Sequence, residues 1–414
     1  MKNKNSDLFV YIVFGFIVAF LTYTFVIAEL AKGNSDYAGH AYIYLPYFFS
    51  KDTFVDGLKA APYPLWHLLT LLFYQVFKIA LDPAAAYTSC IFAVFSYGVT
   101  CFMIKRASAF SGKEFGSVRT ALLGAALYLV QPLYFYWIGR GERFIGVYSP
   151  NPLHNPTLMC ARGFSLLAFC LVIDIWGAQA SPDYKGIFFK TETGLKKYYI
   201  WLAVVLFLSA MAKPTFAECF IPAVGIIMLI RFFVAVSKKK GREYFKVLGA
   251  TFLCAVPTIL YILIQFSMYF ILGGSYGSDD SKLIITGFGE VWSMYSDNIA
   301  LSVLLGMAFP LYMVLTDTAF FIKDDKGKLA LSVYVIGFLQ AMLLGENGGK
   351  LAHADFLWPM MSGMLMMHAV SLIRLIMLEN TVTSKRGKAV VVGGWILFLS
   401  HVLCGLLFLK ASCF

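Results

Sequence analysis

The sequence predicts an all-α polytopic membrane protein, with about eleven transmembrane helices and further juxtamembrane helices in a long first external loop. Three observations predict it. Hydrophobic residues make up 59% of the 414 residues and charged residues only 14%, against roughly 25% charged in a soluble domain. Mean hydropathy is +0.73, and apolar stretches of the roughly 20 residues needed to cross about 30 Å of hydrocarbon recur from Leu8 to Leu409. The alternating pattern of a transmembrane barrel is missing, and in lipid only helices or closed barrels satisfy every backbone polar group.

Spans are expected near residues 8–30, 86–104, 119–138, 158–178, 198–213, 215–236, 247–272, 297–322, 329–345, 356–378 and 389–411. The first exceeds the roughly 7 to 15 apolar residues of a signal peptide and lacks a small-x-small cleavage site, so it is expected to stay uncleaved. The segment Pro64 to Ala80 is ambiguous by length, and charge decides how to read it. Lys2 and Lys4 place the N-terminus in the cytoplasm. The basic loops Lys105 to Arg119, Lys185 to Lys197, Lys238 to Lys246 and Lys385 to Lys388 stay inside only if Pro64 to Ala80 does not cross fully. A juxtamembrane or half-inserted helix is therefore expected there, with Lys323 to Lys328 inside and Gly273 to Ser281 outside. Lys51, Lys59 and Lys78 then fall outside, against the charge bias.

The chain reads as one transmembrane domain over residues 1–414, with a first external loop at 31–85 and a second at 139–162. No repeat or low-complexity tract interrupts it. The net charge of +11 sits in short loops as an orientation signal, so no nucleic-acid partner is expected. The eight cysteines fall mostly within apolar segments without metal-like pairing and read as small core hydrophobes.

External places carry more polar detail than connecting loops need. Asn34 to His40 follows the first span; Asp36 at the membrane boundary could act as a base, or simply cap a helix. The second loop holds Arg140, Glu142, Arg143, His154 and Asn155, with Arg162 just beyond. Cations here run against the positive-inside bias unless something anionic, such as a phosphate, meets them; snorkelling to lipid phosphate is the plainer account. Lys213-Pro214 breaks a continuous apolar stretch, either as a tight hairpin with a snorkelling lysine or as a buried cation. Glu346, Lys350, His353 and Asp355 cluster within ten residues, as a site or as a solvated turn on Asn347-Gly348-Gly349. His353-x-Asp355 alone is weak metal spacing, so no metal and no other cofactor is expected. Among the charges inside spans, Arg231 and Arg374 are expected to snorkel, and Asp174 and Asp317 to cap or pair at the inner side.

This layout resembles the GT-C superfamily of integral-membrane glycosyltransferases, which use polyprenyl-phosphate sugars. The likeness lies in Asp36 just after the first span, in the aromatic run Tyr37 to Phe49 with Pro64 to Ala80, and in Asn151 to Thr157 and Ala212 to Phe216. It covers roughly the first 240 residues. The family often carries an acidic pair in the first loop, where this chain has Ser35 and Asp36, and Glu142 stands nearest to its second-loop acid. The resemblance implies inverting transfer of a sugar from a polyprenyl-phosphate-sugar to a hydroxyl acceptor, such as a glycan, on the external face of a bacterial cytoplasmic membrane. It makes Asp36 the general base and His40, Arg140, Glu142, Arg143, His154, Asn155, Lys213, Glu346, Lys350, His353 and Asp355 the substrate contacts.

A transporter or flippase of a lipid-linked or anionic substrate is the main alternative; it predicts an inverted repeat and charge at the bilayer midplane. A scaffold subunit binding a partner through the external clusters is a third class.

Overall fold

A computed structural model describes residues 4–134, 153, 155–181, 183–189, 194–271 and 282–413. Arg140, Glu142, Arg143 and His154, with most of the second loop, lie outside the described residues. In chain order the elements are α1 (Lys4–Lys32), α2 (Asp36–Ala38), α3 (Phe54–Ala60), α4 (Leu65–Leu71), α5 (Leu81–Phe110), α6 (Ser117–Leu129), α7 (Pro156–Ala180), α8 (Lys196–Ala212), α9 (Thr215–Ser237) and α10 (Gly241–Phe266). There follow β1 (Leu283–Ile285), α11 (Glu290–Ser293), α12 (Ile299–Thr316), α13 (Thr318–Lys323), α14 (Asp325–Leu343), β2 (Leu344–Glu346), α15 (Leu357–Thr381) and α16 (Lys385–Cys413).

Among the described residues, nine helices are long and apolar enough to cross a membrane: α1, α5, α7, α9, α10, α12, α14, α15 and α16. That corrects the expected eleven. The other two expected spans form helices, but α6 has 13 residues and α8 has 17, roughly 20 and 26 Å at 1.5 Å per residue. The helical run Leu65–Val76 reaches only about 18 Å, short of the roughly 30 Å of a hydrocarbon core.

Burial follows composition. α7 and α15 are apolar all round and are enclosed over 89% and 83% of their most apolar windows, which makes them the middle of the bundle. α1, α9, α10 and α16 leave Phe16, Ile230, Leu253 and Leu403 exposed, side chains that suit lipid rather than water. α14 and α15 approach closely because they meet through glycines. A Cβ on Gly337 would lie 2.7 Å from the Pro359 carbonyl oxygen, and one on Gly363 would lie 2.6 Å from the Tyr334 Cα, the small-residue contact that lets backbones touch in membranes.

The two ends of the bundle differ chemically. At one end run ion pairs: Arg119 with Glu379 at 2.6 Å, Arg374 with Asp317 at 2.6 Å, and Arg231 with Asp325. Arg231 and Arg374 thus pair with carboxylates rather than only snorkelling. Asp174 ties down the α7–α8 connection, accepting from the backbone N–H groups of Ile187, Phe188 and Phe189 and from the Tyr184 hydroxyl. At the other end, the α1–α2 junction, the start of α7, the α8–α9 break and the α14–α15 connection converge.

Candidate functional site

The α1–α2 junction is stiffened by backbone chemistry. Gly33 takes a left-handed φ of +73°, the usual way to stop a helix. Ser35 donates to the Glu29 carbonyl at 2.8 Å and accepts from the Ala38 N–H at 3.2 Å, capping α2. Tyr37 then buries its ring edge-on against Phe25. Asp36, between cap and anchor, is left facing a cavity of ≈ 860 Å³.

Across from it, Asn155 caps α7 just before Pro156, the proline position that suits a helix start. Its Oδ1 accepts from the Leu158 N–H and from the Thr157 hydroxyl, both at 2.8 Å. With Oδ1 so engaged, Nδ2 faces Asp36 and donates to Oδ2 at 3.1 Å. Asn155 is 3% exposed, so the contact is built into the bundle.

Lys213 lies outside both flanking helices, in the break between α8 and α9, with extended backbone (φ −164°, ψ 127°). The following Pro214 disfavours helix at that residue, which turns a continuous apolar stretch into two helices. The side chain is 4% exposed, so the snorkelling hairpin is not what forms. Its ammonium sits 4.4 Å from the centre of the Trp358 ring and 5.2 Å from that of Tyr63, and donates to the Thr157 hydroxyl at 3.4 Å. Burial pushes its pKa below the ordinary lysine value; the charges of Asp355, Asp36 and Glu218 oppose that shift.

Glu218 was missed as a site residue, although it stands five positions after Lys213 in the same motif. It lines the cavity from the first turn of α9. Pro222, one turn on, has no N–H for the Glu218 carbonyl, and Gln340 Nε2 fills that place at 3.2 Å. The far wall is the α14–α15 connection. β2 pairs antiparallel with β1, Glu346 opposite Leu283, and Asn347 fastens the turn by accepting from the Lys282 N–H at 2.6 Å. The turn is therefore stitched down rather than loose. Glu346 and Lys350 are buried, Asp355 is half-buried and His353 is exposed, and all four line the cavity.

His40 lines the cavity as well, 3.1 Å from His67 across their Nδ1 and Nε2 atoms. Trp66, Tyr44 and Tyr63 surround its ring. Burial, then the neighbouring His67 and Lys213, hold His40 well below the ordinary histidine pKa, and burial takes His67 to about 3. Both shifts favour the neutral ring, the form in which one nitrogen donates and the facing one accepts.

Arg162 does something other than meet an external anion. It is 3% exposed, and its guanidinium donates to the carbonyls of Leu127 at 2.7 Å and Tyr128 at 3.4 Å, a cation at the carboxyl end of α6.

The cavity has two kinds of wall. Its polar end carries Asp36, Asn155, Lys213, Glu218 and Asp355; its other side is Ile221, Pro222, Ile259, Ile262, Leu263 and Phe266. Leu263 and Phe266 are also exposed on the outer surface of α10, where lipid would lie. Fold and site together define a multi-pass α-helical membrane protein with an amphipathic cavity at one end of its bundle. Comparison of the chain with protein-family models, curated proteins and solved structures finds no match.

Proposed function

We propose that the protein is an inverting glycosyltransferase that takes a sugar from a polyprenyl-phosphate-sugar and passes it to a hydroxyl acceptor at the external face. One observation carries the reading. A carboxylate oriented by a helix-capping amide shares a cavity with a buried lysine, and one wall of that cavity is apolar and continuous with the lipid-facing side of α10.

In this reading the isoprenoid chain lies along Ile259, Ile262, Leu263 and Phe266, and the phosphate and sugar occupy the polar end. Asp36 takes the proton of the acceptor hydroxyl as its oxygen attacks the anomeric carbon. The bond from that carbon to the phosphate oxygen breaks, and its electron pair leaves with the polyprenyl phosphate. The leaving group gains negative charge, and Lys213, preorganised between Trp358 and Tyr63, stabilises it. Lys350, Glu346, His353 and Asp355 are assigned to the sugar or acceptor. A flippase or transporter would move such a lipid without breaking the bond.

The test uses purified full-length protein with short-chain polyprenyl-phosphate hexoses and measures release of the lipid phosphate. Wild type is expected to turn over and Asp36→Asn to lose about 10²-fold or more in rate. Equal turnover by both removes Asp36 as the base; transbilayer movement of intact donor without release supports the transporter.

A further inference from the structure

We propose that Thr157 is a positioning residue that ties the base to the cation, an inference that rests on the glycosyltransferase reading for its catalytic consequence. The geometry is a continuous chain of side chains. The Lys213 ammonium donates to Thr157 Oγ1 at 3.4 Å, the Thr157 hydroxyl donates to Asn155 Oδ1 at 2.8 Å, and Asn155 Nδ2 donates to Asp36 Oδ2 at 3.1 Å. Every donor and acceptor in it runs one way, from ammonium to carboxylate.

Thr157 is fully buried in the first turn of α7, the most enclosed helix of the bundle. Its hydroxyl uses its single proton on Asn155 and so can only accept from Lys213. This places the two charged groups that act on opposite sides of the breaking bond in one frame. The acceptor's proton leaves toward Asp36 while negative charge grows toward Lys213, and a frame that holds both spares reorganisation at the moment of reaction. The groups around the Lys213 ammonium come from each neighbouring element: Asp36 at the start of α2, Glu218 on α9, Asp355 ahead of α15, and His40 from the first loop. Thr157 is uncharged among them, so replacing it changes hydrogen bonding without changing net charge.

The test compares Thr157→Val, which keeps the shape, with Thr157→Ser, which keeps the hydroxyl. With the lipid-phosphate assay, Thr157→Val is expected to lose about tenfold or more in kcat with a smaller change in donor KM. Its alkaline limb should move to lower pH, because a lost acceptor removes support for the charged form of Lys213. Thr157→Ser should stay within about threefold of wild type and keep its pH profile. A second readout needs no turnover: acylation of Lys213 by a small neutral reagent, followed by mass spectrometry across pH. Its midpoint should fall by about one pH unit in Thr157→Val and hold in Thr157→Ser. Equal midpoints in wild type and Thr157→Val, or equal impairment of both variants, overturn the proposal. A shifted midpoint in a protein that releases no lipid phosphate keeps the Thr157 link and overturns the glycosyltransferase reading instead.

Discussion

Asn155 holds Asp36 with the same amide that starts α7: its oxygen caps the helix and its nitrogen, 3.1 Å from the Asp36 carboxylate, orients that carboxylate. A helix start and a candidate active site are thereby one structure, and the two roles can be separated by substitution.

Asn155→Ser retains a good N-cap but is too short to reach Asp36. Its thermal stability in detergent is expected to stay within about 0.5 kcal/mol of wild type, while Asn155→Ala loses about 1 kcal/mol with the cap. Both should lose at least about tenfold in turnover. Full activity in Asn155→Ser would remove the orienting role.

The His40–His67 pair makes stability depend on pH. Both rings titrate below the ordinary histidine value of 6.5 in the folded protein, so between that value and the folded pKa the unfolded chain binds more protons. Their contribution is complete above pH 6.5 and is lost as pH falls, at about 1.4 kcal/mol per pH unit for each ring. His67→Phe keeps the stack on Phe48, whose ring centre lies 5.3 Å away. Unfolding in detergent at pH 7, 6 and 5 should show a slope shallower by up to about 1.4 kcal/mol per pH unit in the variant; identical slopes would contradict the assignment.

At the opposite end, Arg374 and Asp317 pair at 2.6 Å with side chains only 23% and 18% exposed. Arg374→Met leaves a carboxylate without its cation and should cost about 2 kcal/mol of stability. Adding Asp317→Asn should restore more than half of the loss. Additive losses in the double variant would show that the two residues do not interact.

Orientation is tested with cysteines at two exposed positions from opposite ends of the bundle. On intact cells, His353→Cys should react with an impermeant thiol reagent and Lys113→Cys should react only after lysis. The reverse pattern would turn the protein over in the membrane and place the candidate site in the cytoplasm.

Much of the architecture was legible in the sequence, for a physical reason. Apolar length and the sign of loop charges are local properties, and a bilayer reads them locally, so the helices and the segregation of the two ends follow from composition and order. The count of membrane-length helices was less legible, because α6 and α8 are apolar but short, and only their actual ends show it. Some of the expected site also came from sequence: Asp36, Asn155, Lys213 and Asp355 stood out as polar residues at span ends.

What the sequence by itself determined was a helical membrane protein with polar clusters after its first span, at its Lys213-Pro214 break and before its α15 helix. Tertiary structure alone decided that these clusters share one cavity and that Arg162 belongs to the end of α6. It also decided that Thr157 stands beside Lys213 and that Glu218 lines the same cavity. Those contacts join residues far apart in the chain, Asp36 to Asn155 and Lys213 to Trp358. No local pattern encodes such distances; packing around α7 and α15 sets them.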